Sequence, residues 1–205
     1  MSLPRAHARP SDDVGPSPAA SITMTARDLL VYRDRADRRV ELVRGRLMVS
    51  EPAGAEHGRV TLVIGAAILA YRRARAAATG EPIGYVVVAD PGCWIERAPD
   101  TVRAPDVAYV RADRMPAGPV HGFLPLAPAL AVEVRSPTDR APDVAEKVAQ
   151  WLAAGTALVW TIDPVRHVAH VYRADGSESA VPADGMLDGE SVLPGFVLPM
   201  RDLFG

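Results

Sequence analysis

The sequence predicts a mixed α/β (α+β) fold, in which helices flank one mixed β-sheet. Two segments repeat apolar residues at helical spacing: HGRVTLVIGAAILAYRRARAAAT (57–79) and DRAPDVAEKVAQWLAAGT (139–156). Between and after them lie short apolar runs such as ALVWTIDP (157–164), which are typical of buried strands. The chain has no internal repeat, so a single sheet with flanking helices is the most economical arrangement.

The length of the chain, 205 residues, suits one domain with a hydrophobic core. Residues 1–22 are rich in Pro, Ser, Ala and charge, and such a segment buries too little apolar surface to offset its ordering entropy. We therefore predict a flexible tail over 1–22 and a single domain over 23–205.

The composition excludes several classes of protein. Hydrophobic residues make up 48% and charged residues 23%, which rules out a wholly disordered chain. No apolar run approaches the roughly 20 residues of a membrane span, so we expect no membrane association. The formal net charge of −2 does not indicate a globally basic nucleic-acid binder. Cys93, the one cysteine, forms no internal disulfide, and we expect a cytoplasmic protein.

The first half of the ordered region reads as helix, two strands and a long helix. TMTARDLLVYRD (23–34) has helical spacing, and RRVELVRGRLMVSEP (38–52) reads as two strands joined by a tight turn at Arg44-Gly45. The long helix follows, and Gly80 ends it.

The second half is mostly strand. We expect four or five strands before the second helix, within IGYVVVAD (83–90), GCWIERA (92–98), VRAPDVAYVRAD (102–113) and ALAVEVRSPTD (129–139). Pro142 and Gly155 mark the ends of that helix. A central strand, a hairpin over 167–181 and a Pro-broken segment over 189–204 complete the chain, and we expect the last to pack on a sheet edge.

Three acids interrupt apolar strand segments: Glu41 in VELV, Asp106 in APDVAYV and Glu133 in AVEV. An ionised carboxylate inside an apolar sheet costs several kcal/mol unless a charge pairs with it. Each acid taken alone faces solvent or pairs with an arginine, such as Arg103 or Arg135 for Glu133. If the three converge, their mutual repulsion calls for a cation, and hard oxygen ligands suit Mg²⁺ or Mn²⁺.

The order of these segments carries a resemblance to a known family. The Pro105-Asp106 pair and the later EVR at 133–135 resemble the PD-(D/E)XK nuclease superfamily. Across roughly residues 23–205 the chain resembles the Uma-two family within it, through MTARDLL, RVELVRGRLMVSEP with a following His, RAPDVAYV, PALAVEVRSPTDR, EKVAQWLAAGTALVWTIDP and LPGFVLPMRDLF. The resemblance implies a restriction-endonuclease-like mixed sheet flanked by helices, with acids gathered at one edge. It also implies a Mg²⁺-dependent endonuclease that hydrolyses phosphodiester bonds in DNA.

The same resemblance implies a set of metal ligands. Asp106 and Glu133 would hold Mg²⁺ (or Mn²⁺), and the backbone carbonyl of Val134 or a water would be a further ligand.

Three more residues receive catalytic roles by the resemblance. Glu41 would ligate the metal directly or orient a metal-bound water. Lys147 would position the attacking water or stabilise the developing phosphate charge, with Glu146 as the alternative inward-facing residue of that helix. His57 would contact the scissile phosphate or support the ligands, unless it only faces solvent at the start of the long helix.

The chain departs from the family pattern at two positions near the site. Arg135 stands where the superfamily motif has its lysine, on the same strand face as Glu133, and arginine stays protonated and does not act as a base. Trp151 stands where the family often has tyrosine; it reads as a core or edge change, although a lost hydroxyl could remove a contact at the site.

Two further functions remain open at this stage. A catalytically inactive nuclease fold could serve as a nucleic-acid or protein binding module, which Arg135 and the acidic net charge favour. A metal-dependent hydrolase of a smaller phosphoester is the other. A homodimer is expected if the protein cuts both strands, and the apolar C-terminal segment is the candidate interface.

Overall fold

A computed structural model describes residues 23–33, 38–80, 82 and 84–204. The flexible tail predicted for 1–22 lies outside the described residues. The helices are α1 (Ala26–Arg33), α2 (Ala55–Thr79), α3 (Ala141–Ala153) and α4 (Arg201–Phe204). The strands are β1 (Arg39–Val43), β2 (Arg46–Ser50), β3 (Tyr85–Val88), β4 (Cys93–Glu96), β5 (Thr101–Arg103), β6 (Val107–Val110), β7 (Leu130–Val134), β8 (Leu158–Asp163), β9 (Val168–Arg173), β10 (Glu178–Val181), β11 (Met186–Asp188) and β12 (Val197–Pro199).

The described strands form three sheets rather than the single sheet expected from the sequence. A six-stranded mixed sheet has the order β10-β9-β8-β7-β6-β3, with β7 and β8 parallel at its centre. A four-stranded antiparallel sheet has the order β2-β1-β5-β4, and β11 pairs with β12 separately. The mixed α+β class is confirmed, and the division into several sheets was missed.

The division arises at Pro105, within the segment predicted as one strand over 102–113. Residues before it form β5 in the four-stranded sheet, and residues after it form β6 in the six-stranded sheet. Proline lacks the N–H that a continuous ladder needs, so a break here is physically favoured. The chain crosses from one sheet to the other immediately before Asp106.

The six-stranded sheet is buried on both faces. On one face, alternate residues of β7 pack with Val60 and Ile64 of α2, and on the other face Ala131 packs with Val148 and Trp151 of α3. All five residues of β7 are buried, including Glu133 on the α3 face. This two-sided cover explains the continuous apolar runs in the sequence.

The four-stranded sheet has one apolar and one polar face. Val40 and Leu42 of β1 pack with Leu29 of α1 in a small core of their own. Arg39 and Glu41 alternate with them and share the opposite face. That opposite face meets the end of the six-stranded sheet, where the acids lie.

The C-terminal segment does not pack on a sheet edge as expected. Its apolar side chains join the core cluster on the α2 face of the six-stranded sheet, and they include Leu193, Phe196, Leu198, Met200 and Leu203. These side chains are buried within their own chain, and the homodimer with this segment as its interface stays a prediction. Within the described ranges, no helix combines the length and apolarity that crossing a bilayer requires.

Candidate active site

The three acids meet where the two larger sheets, α2 and α3 come together. One residue beyond the register pair Val107–Val132, Asp106 stands beside Glu133 on the neighbouring strand. Glu41 reaches the same place from β1 of the other sheet, and all three side chains are buried. The convergence predicted from three separate apolar segments is therefore present in the fold.

Glu133 is held by two donors of α3. Its Oε2 accepts a hydrogen bond from Lys147 Nζ at 2.8 Å, and its Oε1 accepts one from Trp151 Nε1 at 2.8 Å. Positions four residues apart lie on the same face of a helix, so one helical surface supplies both contacts. Arg103 and Arg135, the partners considered from the sequence, bond instead to Glu41 and Asp163.

Asp106 is held from three directions. Its Oδ2 accepts a hydrogen bond from the backbone N–H of Val134 at 2.6 Å. Its Oδ1 lies 3.2 Å from Arg39 and 3.3 Å from Nε2 of His57 at the start of α2. His57 is buried here, so the alternative that it only faces solvent is wrong.

Glu41 is turned toward protein cations. Its Oε2 accepts from Arg103 at 2.9 Å, and its Oε1 accepts from the Ala104 N–H at 2.6 Å and lies 3.1 Å from Lys147 Nζ. Lys147 also donates to the Ala104 carbonyl at 3.3 Å. Lys147 Nζ thus donates two hydrogen bonds, to Glu133 and a backbone carbonyl, and forms an ion pair with Glu41.

These contacts separate the pKa values of neighbouring carboxyls. Burial alone would raise the pKa of Glu41, but the Lys147 and Arg103 charges outweigh it and lower that pKa to about 2. For Glu133, burial dominates over Lys147, and the Asp106 and Glu41 charges add to it, so its pKa rises to about 7. Burial opposes the charge of His57 and of Lys147, yet their acidic partners raise both pKa values.

Lys147, rather than Glu146, is the inward-facing residue of the pair. Its side chain is 17% exposed, whereas Glu146 lies on the outer face of α3 and accepts a hydrogen bond from Gln150. Lys147 is also the only lysine in a chain with 22 arginines. Arg135 lies just beyond β7, 3.4 Å from Asp163, and does not replace Lys147 at the cluster.

Comparison with known protein families shows which family the chain belongs to. The sequence model of Uma2, described as a putative restriction endonuclease, matches residues 26–201 and so covers the two larger sheets and α3. The chain belongs to the Uma2 family. The family description and the nuclease-like fold support a nuclease function.

A crystal structure with the same fold is that of a putative nuclease belonging to DUF820 from Anabaena variabilis. It superposes with a TM-score of 0.72 over 88% of this chain and 97% of that one, at 20% sequence identity. This likeness supports the fold of the Uma2 chain. No curated protein matches the sequence significantly.

The family implies a divalent metal, and the donor set can be tested against it. Within the described ranges, no group of three or more His, Cys, Asp or Glu side chains has the arrangement of a metal site. A carboxylate offers about four acceptor positions; Glu133 accepts two hydrogen bonds, and Asp106 accepts one and forms ion-pair contacts with Arg39 and His57. Mg²⁺ is commonly held by one or two carboxylates with waters, so the pair Asp106 and Glu133 fits.

The charge of the Uma2 site is already balanced by its own side chains. Three buried acids, Glu41, Asp106 and Glu133, face three cations, Arg39, Arg103 and Lys147. Among the residues that the structure describes, these six groups therefore carry no excess negative charge when all are ionised, and Asp90 and His57 lie next to them. A divalent cation would add two positive charges to this set.

Several residues of the site were missed from the sequence, although two carried a signal. Arg39 lies two positions before Glu41 on a strand, and Trp151 lies four positions after Lys147 on a helix, so each shares a face with a predicted residue. Trp151 is wholly buried and contacts Glu133, so it belongs to the site and is more than a core or edge change. A series of hydrogen bonds runs from Arg103 through Gln150 to Glu146. No local sequence pattern predicted it, because Arg103 and Gln150 lie on separate elements.

A cavity of about 650 Å³ opens beside the cluster. Its walls are β3, the following turn through Asp90, and the loop over 115–122. Asp90 forms an ion pair with Arg39 at 2.7 Å, and Arg39 contacts Asp106. Asp90 thus lines this cavity and also contacts the cluster through Arg39.

Proposed function

We propose that this Uma2 family member is a Mg²⁺-dependent endonuclease that hydrolyses phosphodiester bonds in DNA. The observation that carries the proposal is the meeting of Asp106, Glu133 and Lys147, which come from three separate elements. Two adjacent carboxylates with a lysine are a suitable set for metal-assisted phosphoryl transfer. We expect the protein in the reducing cytoplasm, because its one cysteine forms no internal disulfide.

Each group would have a distinct task. Asp106 and Glu133 would hold the metal, with the Val134 carbonyl or a water as a further ligand. When bound, the metal would supply Lewis-acid stabilisation of the phosphate and lower the pKa of water. Glu41 binds Lys147 and Arg103 in the structure, so its proposed task is to hold these two cations in place.

Two residues would act on the substrate phosphate. Lys147, released from Glu133, would stabilise the charge that develops on the phosphoryl oxygens. His57 faces Asp106 and carries a raised pKa, so it can donate a proton or a hydrogen bond to an oxygen of the scissile phosphate. The cavity lined by Asp90 is the proposed place of the nucleic-acid strand, since Asp90 contacts Arg39 and Arg39 contacts Asp106.

Cleavage of plasmid DNA by the purified protein with Mg²⁺ or Mn²⁺ tests the proposal. We expect nicking that EDTA stops and that Asp106→Ala, Glu133→Ala and Lys147→Ala each reduce by at least about a hundredfold. Asp143→Asn is the matched control, since Asp143 is an exposed acid in the first turn of α3. Cleavage that survives both carboxylate substitutions would remove this site assignment.

The balanced charge of the cluster favours a second candidate, an inactive nuclease fold that binds nucleic acid or another protein. In that case the ion pairs are structural, and Arg135 marks the lost motif lysine. This candidate predicts DNA binding without cleavage and no rise of the melting temperature with Mn²⁺. A screen of small phosphoesters alongside the plasmid separates both from a hydrolase of smaller substrates.

A further inference from the structure

We infer that Lys147 controls entry of the divalent cation: its ammonium occupies the charge-compensating position between Glu41 and Glu133, and the cation binds tightly only when a phosphate draws Lys147 away. The inference rests on the proposed function and concerns the regulation of the same site. Its subject is the one lysine of the chain.

The first support for this inference comes from the contacts of Lys147. Its nitrogen lies 2.8 Å from Glu133 and 3.1 Å from Glu41, at distances typical of charge-assisted hydrogen bonds. Any metal held by Glu133 would lie within a few ångströms of this ammonium. At that separation two like charges repel strongly even at an effective dielectric constant of about 20.

The second support comes from the charges of the buried groups around Lys147. Arg39 lies 3.2 Å from Asp106, and Arg103 lies 2.9 Å from Glu41, so the other two buried acids have cations of their own. With all six groups ionised, the three acids and three cations balance, so two added positive charges meet no unpaired acid among them. A phosphodiester brings negative charge, and a metal with a phosphate therefore changes the balance far less than a metal alone.

The third support comes from the use of lysine rather than arginine at position 147. Lysine presents a compact ammonium on a flexible four-carbon stem, whereas arginine holds carboxylates in a rigid fork. The chain uses arginine at each of its 22 other basic positions and lysine only here. The side chain is 17% exposed, so its end can move toward a ligand that arrives from solvent.

Calorimetry with Mn²⁺ alone tests the inference on the wild type and on Lys147→Met. The methionine keeps the length of the side chain and removes the charge. We expect weak binding by the wild type and binding at least about tenfold tighter by the variant, because the repulsion is gone. Arg140→Met is the matched control and should behave as the wild type, since Arg140 is 77% exposed just before α3.

A second measurement uses the folded wild type and does not depend on the variant. Selective labelling with ¹³C,¹⁵N-lysine gives the side-chain signals of a single residue, because Lys147 is the only lysine. We expect Mg²⁺ alone to leave these signals in place, and Mg²⁺ together with a phosphorothioate-substituted DNA duplex to move them.

The outcomes separate this inference from the proposed function. Tight Mn²⁺ binding by the wild type that Lys147→Met does not improve overturns the control by Lys147 and leaves the metal site standing. No Mn²⁺ binding by any variant, with or without the duplex, overturns both. Lysine signals that stay unmoved in the presence of Mg²⁺ and duplex, while plasmid is cleaved, overturn the inference alone.

Discussion

Single residues at the site work through hydrogen bonds that bulk alone does not replace. Trp151 shows this most clearly, because it is wholly buried and its indole N–H donates to Glu133. Trp160 is equally buried, and its indole N–H has no hydrogen-bond partner among the residues that the structure describes. The two tryptophans therefore differ in the bond rather than in burial.

The prediction at this scale compares Trp151→Phe with Trp160→Phe. Both changes shrink a buried ring, but only the first leaves a buried carboxylate oxygen without its donor. We expect Trp151→Phe to lower the free energy of unfolding by about 1–3 kcal/mol more than Trp160→Phe does. Urea denaturation of both variants measures the difference, and equal losses would mean that the Trp151 bond adds nothing.

Alternation along β1 decides which of two neighbouring arginines matters. Arg39 shares a face with Glu41 and contacts Asp106, Asp90 and the carbonyl of Ala104. Arg38 lies just before the strand and pairs with Glu51 at the surface, where both side chains are more than half exposed. Strand β1 thus presents Arg39 to the site, and Arg38, just before the strand, stays in solvent.

We predict that Arg39→Met lowers the stability of the protein much more than Arg38→Met does. The first leaves Asp106 short of a charge partner in a buried site and should cost about 3–5 kcal/mol of stability. The second removes a surface ion pair and should change stability by less than about 1 kcal/mol. Thermal unfolding of the two variants under the same buffer measures both, and a mild effect of Arg39→Met would show that His57 and the Val134 N–H suffice for Asp106.

For the whole molecule, the buried cluster links folding to pH from two sides. Glu41 has its pKa lowered to about 2 from an ordinary 4.5, so its contribution is complete above about pH 4.5 and is lost as the pH falls toward 2. Glu133 has its pKa raised to about 7 from 4.5, so the folded state binds its proton more tightly and stability falls as the pH rises from about 4.5 to 7. His57, with a raised pKa, adds to the fall on the alkaline side.

The pH dependence of unfolding should therefore separate in two variants. Glu41→Gln should remove roughly 3 kcal/mol of the acid-side loss below pH 4.5, and Glu133→Gln should flatten the fall between about pH 4.5 and 7. Denaturation curves at a series of pH values, without divalent cations, give the two slopes. If Glu133→Gln keeps the wild-type slope in its window, the raised pKa belongs to another group.

The sequence by itself determined the elements and the positions of the acids. Apolar periodicity located α2, α3 and the buried strands, Pro142, Gly80 and Gly155 marked helix ends, and the acids inside apolar runs identified Glu41, Asp106 and Glu133. These signals are local, since each depends on residues a few positions apart. The family resemblance added Lys147 and the fold.

Only the tertiary structure decided which groups the acids contact. The break at Pro105 places β5 and β6 in different sheets, and this brings Arg103 to Glu41 and Arg39 to Asp106. The expectation of negative charge awaiting a cation changed for the same reason, because the cations that neutralise the acids come from β1, β5 and α3. Partner choice depends on contacts between residues far apart in the chain, and no local pattern encodes them.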